Sequence, residues 1–316
     1  MPLPSAHHVI NLVVTCTNRK SSAPPASLQA RNLKGVSTVT RAKAWAKSLS
    51  SQTDGVAASE VYQGDHWSVV RSIAPSRGSG QVNVWVASAG YGLISPSSKI
   101  VAYGATLSGG HLDSVASSSA ERRAWWTALT DRPPRVSPAS PRSLRQLAVR
   151  FSSSPLIIAA SPEYIDAMAD DILAASERLE TPELLSILCR VGGAPAELSP
   201  FTVPVSATLS SELGGALTSL NARVLRWLTS TGTARLTRKT ITRNMDRLMA
   251  SCPTRVIPKR TKMTDSEVRN HIVKEQRVAI RSRSVLLKEL RQMGFAVEQT
   301  RFGKIYKEVA EAEGAN

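Results

Sequence analysis

The chain has 316 residues, 42% of them hydrophobic, which is enough for one large or two small domains with a substantial core. It carries 40 Lys and Arg against 24 Asp and Glu, a net charge of +16. The three cysteines are far apart in the sequence and the five histidines lack zinc-ligand spacing, so no metal site is expected. No cofactor is expected either. This cysteine usage suits a reducing cytoplasm, and no apolar run approaches the roughly 18 residues of a membrane span.

The positive charge is concentrated in the last third of the chain. Residues 1–222 hold 19 bases and 15 acids, whereas residues 223–316 hold 21 bases and nine acids. An uneven excess of this kind is the electrostatic footprint of a polyanion binder, most often a nucleic-acid binder. A solvated basic surface is the alternative explanation.

Three apolar segments predict buried strands, over residues 9–16, 82–88 and 156–160. Helical patterns separate them, over residues 38–49, 65–73, 121–129, 143–151, 162–179 and 219–228, with a Pro-rich connector at 132–142 and an edge strand at 201–205. Asp65 is predicted to cap the second of these helices. Strands alternating with helices indicate an α/β domain around an open, mostly parallel sheet, which we assign to residues 1–250.

The remaining residues, 251–316, are predicted to form a basic helical domain. Thr264 and Glu267 form a capping signature, and helices near 284–293 and 299–309 are separated by Gly294. Two short helices around a glycine turn resemble a helix-turn-helix, whose second helix would present Arg301, Lys304 and Lys307 to DNA. The alternative is an ordinary helical hairpin.

Polar and aromatic residues recur where the predicted strands end. They are Asn18, Arg19, Lys20, Tyr62, Gly64, Asp65, Ser88, Tyr91, Tyr103, Ser161 and Tyr164. Ligand sites of open α/β sheets lie outside the carboxyl ends of the strands. Tyrosines can stack on a planar base there, and Asn or Asp can orient water. Each residue also has a purely structural interpretation: Tyr62 and Tyr103 as core residues, Asp65 as a helix cap.

A second group of candidates follows the Gly214-Gly215 pair. Ser219 and Asn221 stand at a predicted helix start, where backbone donors can hold a phosphate, and Arg223 adds a cation for DNA. The sequence has no Gly-x-x-x-x-Gly-Lys-Ser/Thr loop and no Gly-x-Gly-x-x-Gly after its first strand, which disfavours nucleotide hydrolysis and dinucleotide binding.

Five segments resemble, in order, the motifs of a bacterial and phage protein family. They are residues 14–20, 61–64, 88–94, 103–107 and 158–164, with the Cys16-Thr17-Asn18-Arg19-Lys20 strand end and the Ser88-Ala89-Gly90-Tyr91-Gly92 loop foremost. That family is similar to the catalytic core of archaeosine synthase and, in fold, to uracil-DNA glycosylases. The resemblance covers roughly residues 9–230. The Gly-Gln-Asp-Pro-Tyr and His-Pro-Ser motifs of the uracil enzymes are missing.

The resemblance, together with the basic extension, implies a monomeric DNA glycosylase. It would excise a modified base, such as glucosylated hydroxymethylcytosine of phage double-stranded DNA, and leave abasic sites in antiviral defence. Asn18 and Asp65 would position water, with Asp113 a weaker candidate. The tyrosines, Gly64 and the two serines of the strand-end group would hold the flipped base. The alternatives are base exchange on tRNA or DNA and a non-enzymatic DNA-binding regulator.

Overall fold

The computed structural model describes residues 9–52, 54–73, 81–131, 140–232, 235–252, 259–278 and 281–313. Most of the predicted Pro-rich connector lies outside these residues. The chain divides into two compact units, Met1–Pro253 and Thr254–Asn316. The sequence-based boundary was placed between residues 250 and 251.

The described residues of the large unit hold eight strands and ten α-helices, besides short 3-10 turns. The strands are β1 (Val9–Thr15), β2 (Val56–Ala57), β3 (Gln81–Ser88), β4 (Gly92–Ile94), β5 (Lys99–Ile100), β6 (Leu156–Ala159), β7 (Leu185–Cys189) and β8 (Thr202–Pro204). The helices are α1 (Thr38–Ser50), α2 (Ala58–Val61), α3 (Asp65–Arg71), α4 (Ser119–Thr130), α5 (Leu144–Arg150), α6 (Pro162–Ala167), α7 (Ala169–Ser176), α8 (Ser210–Leu213), α9 (Leu220–Ser230) and α10 (Arg238–Ser251).

Six strands form the central sheet in the order β4-β3-β1-β6-β7-β8. Every neighbouring pair is parallel except β3 and β4, which form an antiparallel hairpin at one edge. In the middle of the sheet Val13 lies opposite Trp85 on one side and Ile158 on the other. The interior residues of β1 are buried on both faces, which explains its largely apolar sequence. The polar residue among them, Asn11, accepts the Trp85 indole N–H at 3.1 Å. The predicted α/β architecture with a mostly parallel sheet is confirmed.

Several element predictions need correction. β7, a fully buried strand, was not predicted, and β4 falls in a segment that was predicted as a loop. The helix predicted over 162–179 is interrupted at Met168, between α6 and α7. Asp65 is the first residue of α3 and not its N-cap, because Gly64 occupies the N-cap position. The φ of Gly64 is 99°, a backbone conformation that favours glycine. The edge strand is confirmed as β8, which ends at Pro204.

The small unit contains three helices and two very short strands among its described residues. These are β9 (Thr261–Lys262), α11 (Asp265–Val278), α12 (Arg283–Gln292), β10 (Phe295–Ala296) and α13 (Gln299–Glu313). Thr264 and Glu267 form the predicted capping box, in which each side chain accepts the other residue's backbone N–H. β10 interrupts the turn between α12 and α13 and pairs in parallel with β9. The predicted helix pair therefore exists, with a strand between its members.

The helices have their own separate core in this unit, built from side chains that face one another across the three helices: Val268, Ile272, Leu286, Leu290, Phe302, Ile305 and Val309. Across the described parts of both units, none of the helices combines the length and the apolar character that a membrane crossing requires.

Candidate functional site

The loop after β1 is fastened to the segment that precedes α3. The Gln63 backbone N–H donates to the Arg19 carbonyl at 3.0 Å, and the Ser21 N–H donates to the Val61 carbonyl at 2.8 Å. The Thr17 hydroxyl adds a bond to the Gln63 carbonyl at 3.1 Å. These bonds hold residues 17–21 and 61–65 side by side at the carboxyl end of β1. Two distant stretches of predicted site residues thus share one edge of the sheet.

Three hydroxyl groups close a ring beneath this edge. The Tyr62 hydroxyl donates to Ser88 Oγ at 3.2 Å, Ser88 Oγ lies 2.7 Å from the Tyr103 hydroxyl, and the two tyrosine hydroxyls are 3.0 Å apart. If Ser88 donates to Tyr103 and Tyr103 to Tyr62, each hydroxyl proton is used once within the ring. Ser88 Oγ also accepts the backbone N–H groups of Gly90 and Tyr91.

Tyr62 and Tyr103 have no exposed surface, so neither ring can stack directly on a base as the sequence analysis predicted. One side of Tyr62 packs against Trp67, with ring centroids 4.8 Å apart. Burial also raises the pKa of both hydroxyls, which keeps them protonated. The two tyrosines form the floor of the site, and their structural interpretation as core residues with satisfied hydroxyls fits the geometry.

Lys20 lies on this aromatic floor. Its Nζ is 4.3 Å from the centroid of the Tyr103 ring and 5.8 Å from that of Tyr62, and it donates to the Thr17 carbonyl at 2.5 Å. Burial lowers the pKa of its ammonium group. Within the described part of the chain no carboxylate forms an ion pair with it. A partly buried cation that faces aromatic rings and lacks an ion-pair partner is suited to a ligand with negative charge or a polarisable carbonyl.

The β3–β4 hairpin, residues 88–92, is held rigidly beside the tyrosine floor. The indole N–H of Trp45 donates to the Gly90 carbonyl and that of Trp125 to the Ala89 carbonyl, each at 2.8 Å. The Tyr91 hydroxyl donates to the Val101 carbonyl at 3.2 Å and accepts the Val101 N–H at 3.0 Å. Partial burial raises the pKa of Tyr91 to about 12. Its hydroxyl is therefore committed to the backbone, and only its ring edge meets Tyr103.

Asp65, at the start of α3, is bound by two residues from the start of α9. Ser219 Oγ donates to one carboxylate oxygen, and Arg223 Nη2 donates to the other at 2.7 Å. The Ser219 bond and then the Arg223 bond lower the pKa of Asp65, so the carboxylate is ionised at neutral pH. Its side chain remains 52% exposed, which leaves the oxygens accessible to a further donor. Gly215 covers the guanidinium so closely that a Cβ there would lie 2.3 Å from it.

The start of α9 is also tied to the end of β6. The Asn221 amide donates to the Ala160 carbonyl at 3.0 Å, next to Ser161. Ser161 Oγ and Trp67 Nε1 are both buried and have no hydrogen-bond partner among the described residues. Buried polar groups without partners are uncommon in folded proteins and are often completed by a ligand or water. Ser161 directly follows the carboxyl end of β6, and Trp67 packs on Tyr62.

Tyr164 faces the end of β1 from α6. Its hydroxyl lies 3.1 Å from the Cys16 sulfur, and burial raises its pKa. Only 5% of Tyr164 is exposed, so it too supports the site and cannot serve as a stacking surface. Cys16 and Trp67 were not among the predicted site residues. The position of Cys16 at the strand end could have indicated it, whereas the proximity of Trp67 depends on tertiary packing.

Asn18 and Arg19 are exposed on the loop after β1, where a bound polyanion could reach them. Asp113 has a different role from the one considered in the sequence analysis. Its oxygens accept the Arg31 guanidinium at 2.8 and 2.5 Å and the Arg31 backbone N–H at 3.2 Å. These bonds lower its pKa. The geometry makes Asp113 a structural partner of Arg31.

The predicted DNA-facing cations of α13 differ in their surroundings. Arg301 is bound to Asp265 at 2.5 Å and to the Met263 carbonyl at 3.0 Å, which ties the start of α13 to α11. Lys307 lies 3.5 Å from Glu311 one turn later on the same helix. Lys304 is exposed. Two of the three side chains are thus already engaged with carboxylates.

A cleft of about 1010 Å³ in the large unit is lined in part by residues of the hairpin and of α1. Tyr91 lines it together with Lys43, Lys47, Lys99 and Arg142. The predicted residues with reactive chemistry, Asp65 and Lys20, are outside this cleft, so we place the site at the strand ends. In the described residues no cluster of His, Cys, Asp and Glu could hold a metal ion.

Comparison with family models, with curated proteins and with solved structures yields no match to this chain. A functional interpretation must therefore start from the arrangement of side chains at the sheet edge.

Proposed function

We propose that this protein is a DNA glycosylase that flips a modified base out of double-stranded DNA and cleaves its N-glycosidic bond. The observation that supports this most is the meeting, at one sheet edge, of an ionised carboxylate, a cation without an ion-pair partner and an unpartnered buried hydroxyl. They belong to Asp65, Lys20 and Ser161. The open parallel sheet fits a uracil-DNA-glycosylase-like fold, and the net charge of +16 favours a polyanionic substrate.

The chemistry follows from how charge moves when the bond breaks. The electron pair of the C1′–N bond leaves with the base, which gains negative charge, while the sugar gains oxocarbenium character. In our proposal the Lys20 ammonium stabilises the negative charge on the departing base by donating to an oxygen or nitrogen acceptor of that base. The Asp65 carboxylate stabilises the sugar cation, and Asn18 orients the water that adds to C1′ and releases a proton to solvent.

Asp65 is better suited to electrostatic stabilisation than to strong base catalysis. Two hydrogen bonds lower its pKa, which ensures the negative charge but weakens the oxygens as proton acceptors. Ser219 and Arg223 act as positioning residues, because they fix the carboxylate without approaching the sugar themselves. The substrate base in this proposal is a bulky cytosine derivative such as glucosylated hydroxymethylcytosine of phage DNA.

The test is an alkaline-cleavage assay on duplexes that carry different cytosine modifications. A glycosylase leaves abasic sites, so strand breaks should appear only after alkali. Asp65→Asn should reduce the single-turnover rate by about 10²–10³-fold, the loss typical of one electrostatic stabiliser. Asn18→Ala should also reduce it.

A matched control is Asp170→Asn, which makes the same charge change in an exposed Asp–Arg pair on α7, where Arg123 lies 2.9 Å away. This variant should keep the wild-type rate. Equal rates for Asp65→Asn and Asp170→Asn would refute the assigned site. The absence of alkali-labile sites in every modified duplex would refute the glycosylase function itself, and incorporation of free base would favour base exchange.

A further inference from the structure

The small unit carries a groove of about 560 Å³ that runs along α12 from its first residue to its last. Arg260 before β9, Gly294 before β10 and Gln299 at the start of α13 complete its lining. We call it the basic groove. Its charged lining residues are Arg260, Arg283, Lys288 and Arg291, and Gln292 and Gln299 add side-chain amides. Among the described residues, no acidic one lines it. None of the α13 cations that the sequence analysis assigned to DNA belongs to it.

The acids of this unit are engaged elsewhere. Glu308 pairs with Arg269 at 2.6 Å, Glu289 with Arg281 at 2.7 Å, and Asp265 with Arg301. The rest of the described carboxylates bind helix-start N–H groups or other cations: Glu267, Glu275, Glu298 and Glu311. Among the described residues, the four cations of the basic groove have no ion-pair partner. Charge is therefore segregated within the unit, with the uncompensated part in the groove.

Two of these guanidinium groups are held in place by backbone carbonyls. Arg260 Nε donates to the Arg291 carbonyl at 3.2 Å, and Arg291 Nη2 donates to the Val297 carbonyl at 3.4 Å. Carbonyl contacts orient a guanidinium without cancelling its charge. The cations are thus positioned in advance, which reduces the entropy lost when a ligand binds.

Arg283 is accommodated by a glycine inside a helix. A Cβ on Gly303 would lie 3.1 Å from Arg283 Nη1, so a larger residue in this part of α13 would crowd the guanidinium. Glycine within a helix costs about 1 kcal/mol relative to alanine. At position 303 it leaves room for the Arg283 side chain beside α13.

We propose that the basic groove, rather than the exposed face of α13, binds the phosphate backbone of double-stranded DNA. Several uncompensated cations along a groove match the regular phosphate charges of a duplex, and the amides can donate to phosphate oxygens. None of the described residues that line the groove is aromatic and could stack on a base, so binding here should be independent of sequence and of base modification. This inference rests on the proposed function only in taking DNA as the polyanion.

The experiment compares two double variants of the full chain in fluorescence anisotropy with an unmodified DNA duplex at several salt concentrations. Arg283→Gln with Lys288→Gln removes two groove charges. Lys304→Gln with Lys307→Gln removes two charges from α13 and is the matched control. Both pairs of residues are on the surface, and circular dichroism melting should confirm that both variants remain folded.

The groove variant should flatten the slope of log K against log salt by about 1.8, because each lost phosphate contact contributes about 0.9. If the electrostatic contribution vanishes near 1 M salt, affinity at 0.1 M should fall by roughly tenfold per contact. The α13 variant should bind almost as wild type. A larger loss from the α13 variant, or unchanged binding in both, would overturn the proposal.

Failure of this inference is distinguishable from failure of the proposed function. Binding of an unmodified duplex requires no base excision, so the salt slopes are informative even if the chain excises no base. Conversely, if the groove variant binds and excises as the wild type does, the groove has no role in DNA binding, and the glycosylase proposal stays intact.

Discussion

Gly90→Ala tests the close packing on which the tyrosine floor depends. A Cβ at this position would lie 2.7 Å from Cδ2 and Cε2 of the Tyr103 ring, well inside van der Waals contact. The ring has no free space to retreat into, because it is fully buried between Trp45, Tyr91 and Lys20. The backbone of residue 90 cannot shift easily either, since its carbonyl accepts the Trp45 indole.

The expected cost has two parts. Overpacking of a rigid core typically costs about 1–3 kcal/mol. Displacement of the ring would also weaken the bonds of the Tyr103 hydroxyl to Ser88 and Tyr62, each worth about 1 kcal/mol. Together these give a destabilisation of about 2–4 kcal/mol, which urea denaturation would report as a lower midpoint at an unchanged slope.

Gly109→Ala is the matched control, because a Cβ there meets no atom within 4 Å. It should change the free energy of unfolding by less than about 0.5 kcal/mol, as surface substitutions usually do. Equal unfolding midpoints for the two alanine variants would refute the packing argument. Under the proposed function, Gly90→Ala should also slow base excision even at temperatures where it is fully folded, because Lys20 lies on the displaced ring.

Three further predictions concern individual polar groups. Tyr91→Phe should destabilise the fold by about 1–2 kcal/mol, because its two hydrogen bonds to the Val101 backbone are lost; a variant as stable as the wild type would contradict this expectation. In the wild type, the phenolate absorbance of Tyr91 should appear only near pH 12. Asp113→Asn should cost about 1–3 kcal/mol at neutral pH. The stability difference between wild type and variant should vanish in acid. A carboxylate whose pKa is lowered by folding contributes stability above its unfolded pKa, near 3.8, and loses that contribution as the pH falls through its folded pKa. A stability difference that persists in acid would count against the ion pair with Arg31. Ser219→Ala should raise the pKa of Asp65 and move the acid limb of the excision rate to higher pH, whereas an unmoved limb would mean that Ser219 does not position this carboxylate.

Local patterns in the sequence predicted most of the large unit. The strands β1, β3 and β6 and the helix α1 follow from hydrophobic periodicity, and the structure confirms them. The same logic missed β7, because Leu185–Cys189 has no alternation and stands directly after a short helical turn. A fully buried strand of five residues cannot be told from a buried helical turn by periodicity alone.

The sequence also located the candidate site at the strand ends, since a parallel sheet brings its carboxyl ends to one edge regardless of the details of packing. What each residue does there was decided by tertiary structure. Tyr62 and Tyr103 were predicted as site residues, but their burial and their hydroxyl ring depend on residues far away in the chain. The partners of Asp65 come from α9, more than 150 residues later, and hydrogen bonds across such separations leave no local signal. Likewise, the composition alone shows that the last third of the chain is basic. Which of its cations remain uncompensated depends on the ion pairs that form between helices, and only the tertiary structure shows these.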